Sequence, residues 1–494
     1  MSPVFADYPS FLLVLISLVS IFITILISKS QARKSKNLPP GPFQFFIIGN
    51  ILALGTKPHR SLAKLSRKHG PIMSLKLGNI TAIVISSPET AKSVFTKNDL
   101  LFSGRKPPLV TQAFGHHELS MGWLPVGSQW RKLRKICKEQ MFTTAGLDAT
   151  QGLRKDKLDK LREHIRACSE SGRAVDIGGA AFTTSLNLIS STLFSLDMAT
   201  FDSEAAQEMK DVVWGVMKCV GKPNLADYFP VLERFDPQGV MKETGFYFGK
   251  LLEIFDRIFD DKMKVKRGGD DLLEELIHLN QRDELSRNEI NHLLLDLFTA
   301  GTDTTSGTVE WAMTELLRNP DKLLRLQKEI KDNIIEGVQE SDIPRLPYLQ
   351  AVVKETFRLH PTAPLLLPHK ADTDVEINGY TIPKDAQILV NVWASGRDPS
   401  VWPNADMFVP ERFLDREIDF RGQDFELIPF GAGRRICPGL PMANRMVHLM
   451  LATFVVDFGW QLEEGVKLEE LNMDEKFGLT LQKAIPLKAV PMKL

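Results

Sequence analysis

Cys437 lies in the run Phe430-Gly-Ala-Gly433-Arg-Arg435-Ile-Cys437-Pro-Gly439, and the residue types around it suit a cysteine that binds a metal. A ligating cysteine acts as thiolate, in a loop whose backbone approaches the metal closely. Gly433 and Gly439 keep side chains out of that loop and leave positive φ open to it. Pro438 fixes φ and donates no N–H. Arg435 stands two residues from the cysteine, where a cation favours the thiolate and a planar fork can meet an anionic cofactor edge. A buried structural cysteine in a glycine-rich turn is the plainer alternative, but it leaves the full spaced set unexplained.

A second group falls at Ala300-Gly301-Thr-Asp303-Thr304-Thr305. The helix that must carry it starts at Ser286, where Ser286-x-x-Glu289 reads as a capping box, and stops at Arg318 before Asn319-Pro320. Such a helix is about 48 Å long and crosses a whole domain. Threonine hydroxyls can take over backbone carbonyls and loosen a turn. A widened turn beside a cofactor has room for a diatomic ligand, and Asp303 with Thr304 can relay protons to it. A threonine-rich kink without function is the competing reading.

Two further sets are less specific alone. Glu355 and Arg358 lie i,i+3 on one helix face ahead of His360-Pro361 and can pair. Trp130 and Arg134 are i,i+4 neighbours in a basic helical stripe with Arg131, Lys132, Lys135 and Lys138, which by charge pattern alone is a solvated face.

Around these lie the positioning elements. Most of the chain has helical periodicity, so the expected class is mainly α with a minor β part. Hairpins are expected near 72–86, around Gly78-Asn79, and near 374–391, around Asn378-Gly379. The charged run from Lys262 to Asp271 reads as a surface loop between helices. Tyr8 to Ser28 contains no charged residue and would span about 31 Å as a helix, one bilayer core. Lys29, Arg33, Lys34 and Lys36 follow it, so residues 8–28 read as a transmembrane anchor with the bulk of the chain cytosolic; a cleaved signal peptide is the competitor. Residues 29–42, ending in Leu38-Pro-Pro-Gly-Pro42, form a basic and proline-rich hinge, read as a stiff extended connector.

The 494 residues could hold about three average domains, yet no linker or repeat divides 43–494, and the chemistry-bearing residues are scattered through it. One large domain is therefore expected. Lys+Arg and Asp+Glu are equal at 61 each, which argues against a nucleic-acid-coating surface. Cys137, Cys168, Cys219 and Cys437 show no paired spacing, which suits a reducing compartment. No C-x-x-C or H-x-x-x-H pair offers a zinc site.

The pattern F-x-x-G-x-R-x-C-x-G resembles the haem-binding loop of the cytochrome P-450 haem-thiolate enzymes. The resemblance implies the fold of that family, a single haem domain after an N-terminal transmembrane helix, with haem b held by Cys437 as axial ligand. It makes Phe430, Gly439, Trp130, Arg134 and Arg435 cofactor-binding residues, the last three serving the haem propionates. His369, in Leu367-Pro-His369-Lys370, stands where many members have arginine, so that contact falls to His369 or Lys370. The resemblance places Asp303 and Thr304 on the catalytic acid and hydroxyl of an oxygen-binding groove. Glu355, Arg358 and Arg412, the last from Phe408-Val-Pro-Glu-Arg412-Phe413, map onto a structural network under the haem loop.

A thiolate ligand favours O–O cleavage, so the implied activity is an NADPH- and O2-dependent monooxygenase. No G-x-G-x-x-G unit is present to bind NADPH, so electrons should come from a separate NADPH–cytochrome P-450 reductase at the endoplasmic reticulum membrane. Arg131, Lys132, Lys135 and Lys138 could face that donor. A haem-thiolate isomerase or dehydratase needing no reductase is the alternative class, and a haem carrier is a weaker one. Over almost its full length the chain resembles plant microsomal enzymes of a terpenoid-oxidising branch that includes geraniol hydroxylases and ferruginol synthases. Leu62-Ala-Lys-Leu-Ser66, His69-Gly-Pro71, Ile136-Cys-Lys-Glu-Gln-Met-Phe142, Ala226-Asp-Tyr-Phe-Pro230, Phe235-Asp-Pro-Gln-Gly239 and Glu475-Lys-Phe-Gly478 carry that likeness. It implies a hydrophobic mono- or diterpenoid substrate, with oxidation or dealkylation of a phenolic or alkoxylated aromatic as the alternative. Asp296, Thr299, Ala300, Ala363, Leu366, Leu479 and Thr480 are the candidate substrate contacts, with core packing as the plainer role for each.

Overall fold

Leu-rich stretches with helical spacing build the frame, and the hairpin signals build a sheet at one side of it. The computed structural model describes residues 17, 19, 37–265, 271–334, 337–463 and 467–494. All but residues 17 and 19 of the expected anchor lie outside the described residues, as do residues 29–36. Among the described residues no helix is long and apolar enough to cross a membrane.

The helices that bear on the site are α1 (Pro58–His69), α2 (Ser128–Cys137), α3 (Ile177–Phe194), α4 (Glu204–Gly221), α5 (Arg287–Arg318), α6 (Pro347–Leu359) and α7 (Leu440–Val456). α5 is the spine. Ser286 caps it through the expected box, its hydroxyl accepting from the Glu289 amide while the Glu289 carboxylate accepts from the Ser286 amide. From Ile290 to Leu317 it is almost wholly buried, flanked by α3 and α7. A buried helix so rich in threonine needs its hydroxyls satisfied. Thr299, Thr302, Thr304 and Thr308 each donate to the carbonyl four residues back. The helix nevertheless stays α-helical throughout, so the expected widened turn does not form.

Both expected hairpins are present. β1 (Ile72–Leu77) and β2 (Ile80–Ile85) pair antiparallel across Gly78, whose φ of +54° a glycine adopts without cost. β6 (Val375–Ile377) and β7 (Tyr380–Ile382) pair across Asn378-Gly379, both at positive φ as a tight hairpin turn requires. The main sheet runs in the order β1-β2-β8-β5-β3, with β3 (Gly104–Arg105), β5 (His369–Lys370) and β8 (Gln387–Val390). β4 (Val175–Asp176), β12 (Lys488–Lys493) and β9 (Phe458–Leu462) form a second sheet, and β10 (Glu475–Phe477) with β11 (Leu481–Lys483) a terminal hairpin.

One expectation needs correction. The charged run from Lys262 is not all loop, because the helix Val240–Val265 extends into it. From residue 37 onward the proline segment is docked on the domain. Pro39 and Pro40 present their carbonyls to Ser74 on β1, accepting from its hydroxyl at 2.7 Å and its amide at 2.8 Å. A Cβ on Gly41 would come within 2.0 Å of the Ser74 carbonyl oxygen, so only glycine permits this docking.

Candidate active site

A cavity of about 340 Å³ lies between α5, the Cys437 loop, α2, α4 and the β3–β5 edge of the sheet. Cys437 opens onto it. The thiol is accessible to this space and yet deep in the protein, so burial pushes its pKa up. The amides of Gly439 and Leu440, where α7 begins, and the Arg134 cation act in the opposite direction and favour thiolate. The cation that acts on the sulfur is thus Arg134, from α2, and not Arg435 as the sequence spacing indicated. The loop is closed by the Cys437 amide, which donates to the Phe430 carbonyl at 3.0 Å, and by Phe430 packing edge-on to Phe357. Gly433 takes φ +66° and Gly431 +72°, whereas Gly439 stays at −78° as the N-cap of α7 and needs no glycine-only conformation.

Three guanidinium groups line the same cavity: Arg105, Arg134 and Arg435. Among the described residues none of them makes an ion pair. Arg134 donates to the Ile436 carbonyl at 2.8 Å, Arg435 to Ser103 at 3.0 Å and also to Leu124, and Arg105 to Leu367 and Pro368 at 2.5 and 3.0 Å. Burial brings Arg105 down to about 9 and Arg435 to about 10, and the Nε of Arg105 is buried without any partner. Buried cations satisfied only by carbonyls are expensive unless an anion joins them. Trp130 lies beneath both Arg134 and Arg435, with cation–ring distances of 5.5 and 5.0 Å. Of the rest of the stripe, Arg131, Lys135 and Lys138 are exposed, while Lys132 turns to the Glu284 carbonyl.

His369 lines the cavity and Lys370 does not; Lys370 turns away to Asp372 and Asp385, at 3.4 and 3.6 Å. Alternation along β5 sends neighbouring side chains to opposite faces, which rules out the substitution of Lys370 for His369. Burial and then Arg105 hold the His369 imidazole neutral. Its Nδ1 lies 2.8 Å from the Phe102 carbonyl and must carry the proton there, so Nε2 donates to an anion only when the ring is charged. Arg105, directly opposite His369 in the β3–β5 register, is the standing cation at that edge. No motif in the sequence singled out Arg105, because it converges on the cavity only through strand pairing.

Beneath the loop, Glu355 and Arg358 form a fully buried bidentate pair at 2.7 and 2.8 Å. Arg412 joins at 3.1 Å, and the Val409 amide donates to the same Glu355 oxygen at 2.6 Å. Arg358 also donates to the Gly396, Ala405 and Met407 carbonyls. The three residues expected to form one network do so.

Of the candidate substrate contacts, Asp296, Thr299, Ala300, Ala363, Leu366 and Leu479 line the cavity. Thr480 does not; its hydroxyl donates to Asp303 instead. Thr304 lines the cavity, whereas its neighbour Asp303 faces away from it. Asp296 is already engaged, by the Ser120 hydroxyl and the Met121 amide at 2.7 Å and by His116 at 3.4 Å. Ile189, Val216, Met217, Val220 and Phe248 complete the walls and carried no sequence signal beyond helical apolarity.

The sequence profile of the cytochrome P-450 family matches residues 39–487. The chain belongs to that family. It is 54% identical to a cytochrome P-450 of Catharanthus roseus over 97% of this chain and 99% of that one. It is 49% identical to ferruginol synthase of Salvia miltiorrhiza over 95% of this chain and 97% of the relative. It is 52% identical to geraniol 8-hydroxylase of Catharanthus roseus over 94% and 95%. The fold matches a zebra fish cytochrome P-450 solved with progesterone, TM-score 0.76 at 24% identity, over 88% of this chain and 99% of that one.

Membership of the cytochrome P-450 family makes this protein a haem-thiolate monooxygenase. The residues present fit the cofactor: a thiol opening on the cavity meets the need for an axial ligand, and a cluster of buried, unpaired cations meets the need of two propionates. Cys437 would hold the iron, and Arg105, Arg134 and Arg435 with Trp130 the anionic edge. When bound, the haem supplies the iron chemistry that activates O2 for insertion of one oxygen atom into a C–H bond. The chain supplies the rest. Thr304 holds a hydroxyl proton in the cavity wall, bonded at 2.7 Å to the Ala300 carbonyl. Apolar walls keep water from the reacting carbon. Leu366 sits in that wall at φ +51°, a conformation costly for leucine and imposed by the Ala363–Leu366 turn.

Elsewhere, His164, Cys168 and Asp202 place ligand atoms within 4.8 Å of one another, a grouping that the sequence reading missed. Arg173 already donates to Cys168 at 3.4 Å and to Asp202 at 3.3 Å, so a guanidinium holds the place a cation would take.

Proposed function

We propose that this protein is an NADPH- and O2-dependent monooxygenase that hydroxylates a hydrophobic mono- or diterpenoid in plant specialised metabolism. One observation carries the reading. The walls of the cavity that receives Cys437 are formed largely by aliphatic and aromatic side chains, Ile189, Val216, Val220, Ala363, Leu366 and Leu479 among them. Relatives at about half identity are named for geraniol and ferruginol chemistry, which supports a terpenoid of one or two such skeleton sizes. Electrons come from a separate NADPH–cytochrome P-450 reductase. The enzyme is anchored in the endoplasmic reticulum membrane by residues 8–28, with its catalytic domain in the cytosol. Each turnover consumes O2, two electrons and two protons and yields the alcohol and water.

The test is co-expression with a plant reductase in yeast microsomes, fed geraniol and an abietatriene in parallel. NADPH- and reductase-dependent formation of a hydroxylated product from either is expected. Conversion of neither overturns the terpenoid reading, and turnover without reductase overturns the monooxygenase route in favour of an isomerase. Cys437→Ala is the control: the reduced, carbon monoxide-bound protein loses its red-shifted Soret band and all monooxygenase activity.

A further inference from the structure

Asp303 and Thr304 are consecutive on α5, and a helix rotates by roughly 100° per residue, so they face different surroundings. Thr304 faces the cavity. Asp303 is buried on the side of the terminal hairpin, which takes both its carboxyl oxygens. The Thr480 hydroxyl donates to Oδ2 at 2.5 Å and the Gln482 side-chain amide to Oδ1. Burial pushes the Asp303 carboxyl up, and these two donors, with the more distant Lys210 on α4, oppose that rise.

The hairpin turn is itself pinned. The Leu479 amide donates to the Met217 carbonyl on α4 at 2.8 Å, Gly478 to Thr480 at 3.0 Å, and Leu481 to Thr362 at 2.7 Å. Within this turn Leu479 faces the cavity and Thr480 faces the acid. A single turn of chain thus touches both the substrate space and the proton source.

We infer that Thr480 and Gln482 are positioning residues for proton delivery: they hold the Asp303 carboxyl outside the cavity, and transfer of its proton toward the Thr304 hydroxyl requires the hairpin to release at least one carboxyl oxygen. The consequence is protection against wasted turnover. Protons that arrive while no C–H bond is in place let O2 take two electrons and two protons and leave as hydrogen peroxide, the electrons drawn from NADPH through the reductase. A held Asp303 restrains that reaction in the substrate-free enzyme.

The experiment uses the full-length holoenzyme with reductase and NADPH and no organic substrate. Thr480→Val keeps the side-chain shape and removes the donor; Gln482→Ala removes the other; Thr480→Ser restores a hydroxyl. Peroxide release is expected to rise severalfold in the first two and to return to the wild-type rate in the third. Unchanged haem content and Soret position establish that each variant is folded. The second readout is the infrared stretch of the Asp303 carboxyl, assigned by its loss in Asp303→Asn, which is expected to shift in Thr480→Val and Gln482→Ala. Unchanged peroxide release together with an unmoved stretch would overturn the proposal. A shifted stretch with unchanged peroxide release also overturns it, leaving a purely structural tie.

Discussion

Arg105 and His369 face each other across the antiparallel pairing of β3 and β5, and both open onto the cavity of Cys437. Burial and the guanidinium keep the imidazole neutral, with its one proton committed to the Phe102 carbonyl. The arginine is therefore the group at this edge that would meet a propionate in place of position 369. Arg105→Ala is expected to lose a charge-assisted contact of about 1.5–3 kcal/mol, speeding haem transfer to a scavenging globin by about 10- to 150-fold. His369→Ala should change that rate far less. Equal effects from the two variants would contradict the assignment.

Glu355 accepts from Arg358, Arg412 and the Val409 amide in a site without solvent. Glu355→Ala strands two guanidinium groups, and breaking such a buried pair costs about 3–5 kcal/mol. Little haem-loaded protein should accumulate, as read by the reduced carbon monoxide difference spectrum and by Tm. Normal haem content in this variant would remove the network from cofactor assembly.

Arg131, Lys135 and Lys138 form the exposed side of α2 and the turn after it, while Trp130 and Arg134 on the same helix face the cavity. An acidic electron donor docking here meets the helix that bonds the Cys437 loop through Arg134 and the Ile436 carbonyl. Lys135→Glu with Lys138→Glu should raise the KM for reductase by roughly tenfold at low salt, and the difference should shrink as ionic strength screens it. The Soret band should not move. A KM that does not depend on these charges at any salt concentration would send the donor elsewhere.

Glu475 ties the terminal hairpin to α1, accepting from His59 at 3.0 Å and from Arg60 at 2.8 Å. Burial opposes its charge, but these hydrogen bonds and charges outweigh it and bring the carboxyl down from 4.5 to about 2. A carboxyl whose folded pKa is depressed stabilises the protein above its unfolded value and loses that contribution as pH falls toward its folded one. The contribution, on the order of 3 kcal/mol, should be fully present above about pH 5 and decline from there toward pH 2. Thermal unfolding of Glu475→Gln against wild type across this range is the measurement. The gap in Tm should narrow on acidification; a constant gap would place the stabilisation in packing.

Local pattern carried much of this protein. The capping box at Ser286, the hairpins at Gly78 and Asn378, and the glycine-bounded Cys437 loop depend on residues a few positions apart, so they are legible in the chain. The Glu355–Arg358 pair was legible as a possibility, and its complete burial was not. What the tertiary structure alone decided is which way side chains face. Asp303 meets Thr480 across 177 residues of sequence, so the donor that holds it on the side away from the cavity comes from a distant hairpin. Arg105 reaches the cavity through pairing with β5, and Arg134, bonded to the Ile436 carbonyl, is the guanidinium that bears on the thiol. Spacing along the chain determined the chemistry at Cys437. Contacts between distant segments determined which cations, which hydroxyl and which acid share its cavity, because side-chain direction in a core is set by whatever the fold brings against it.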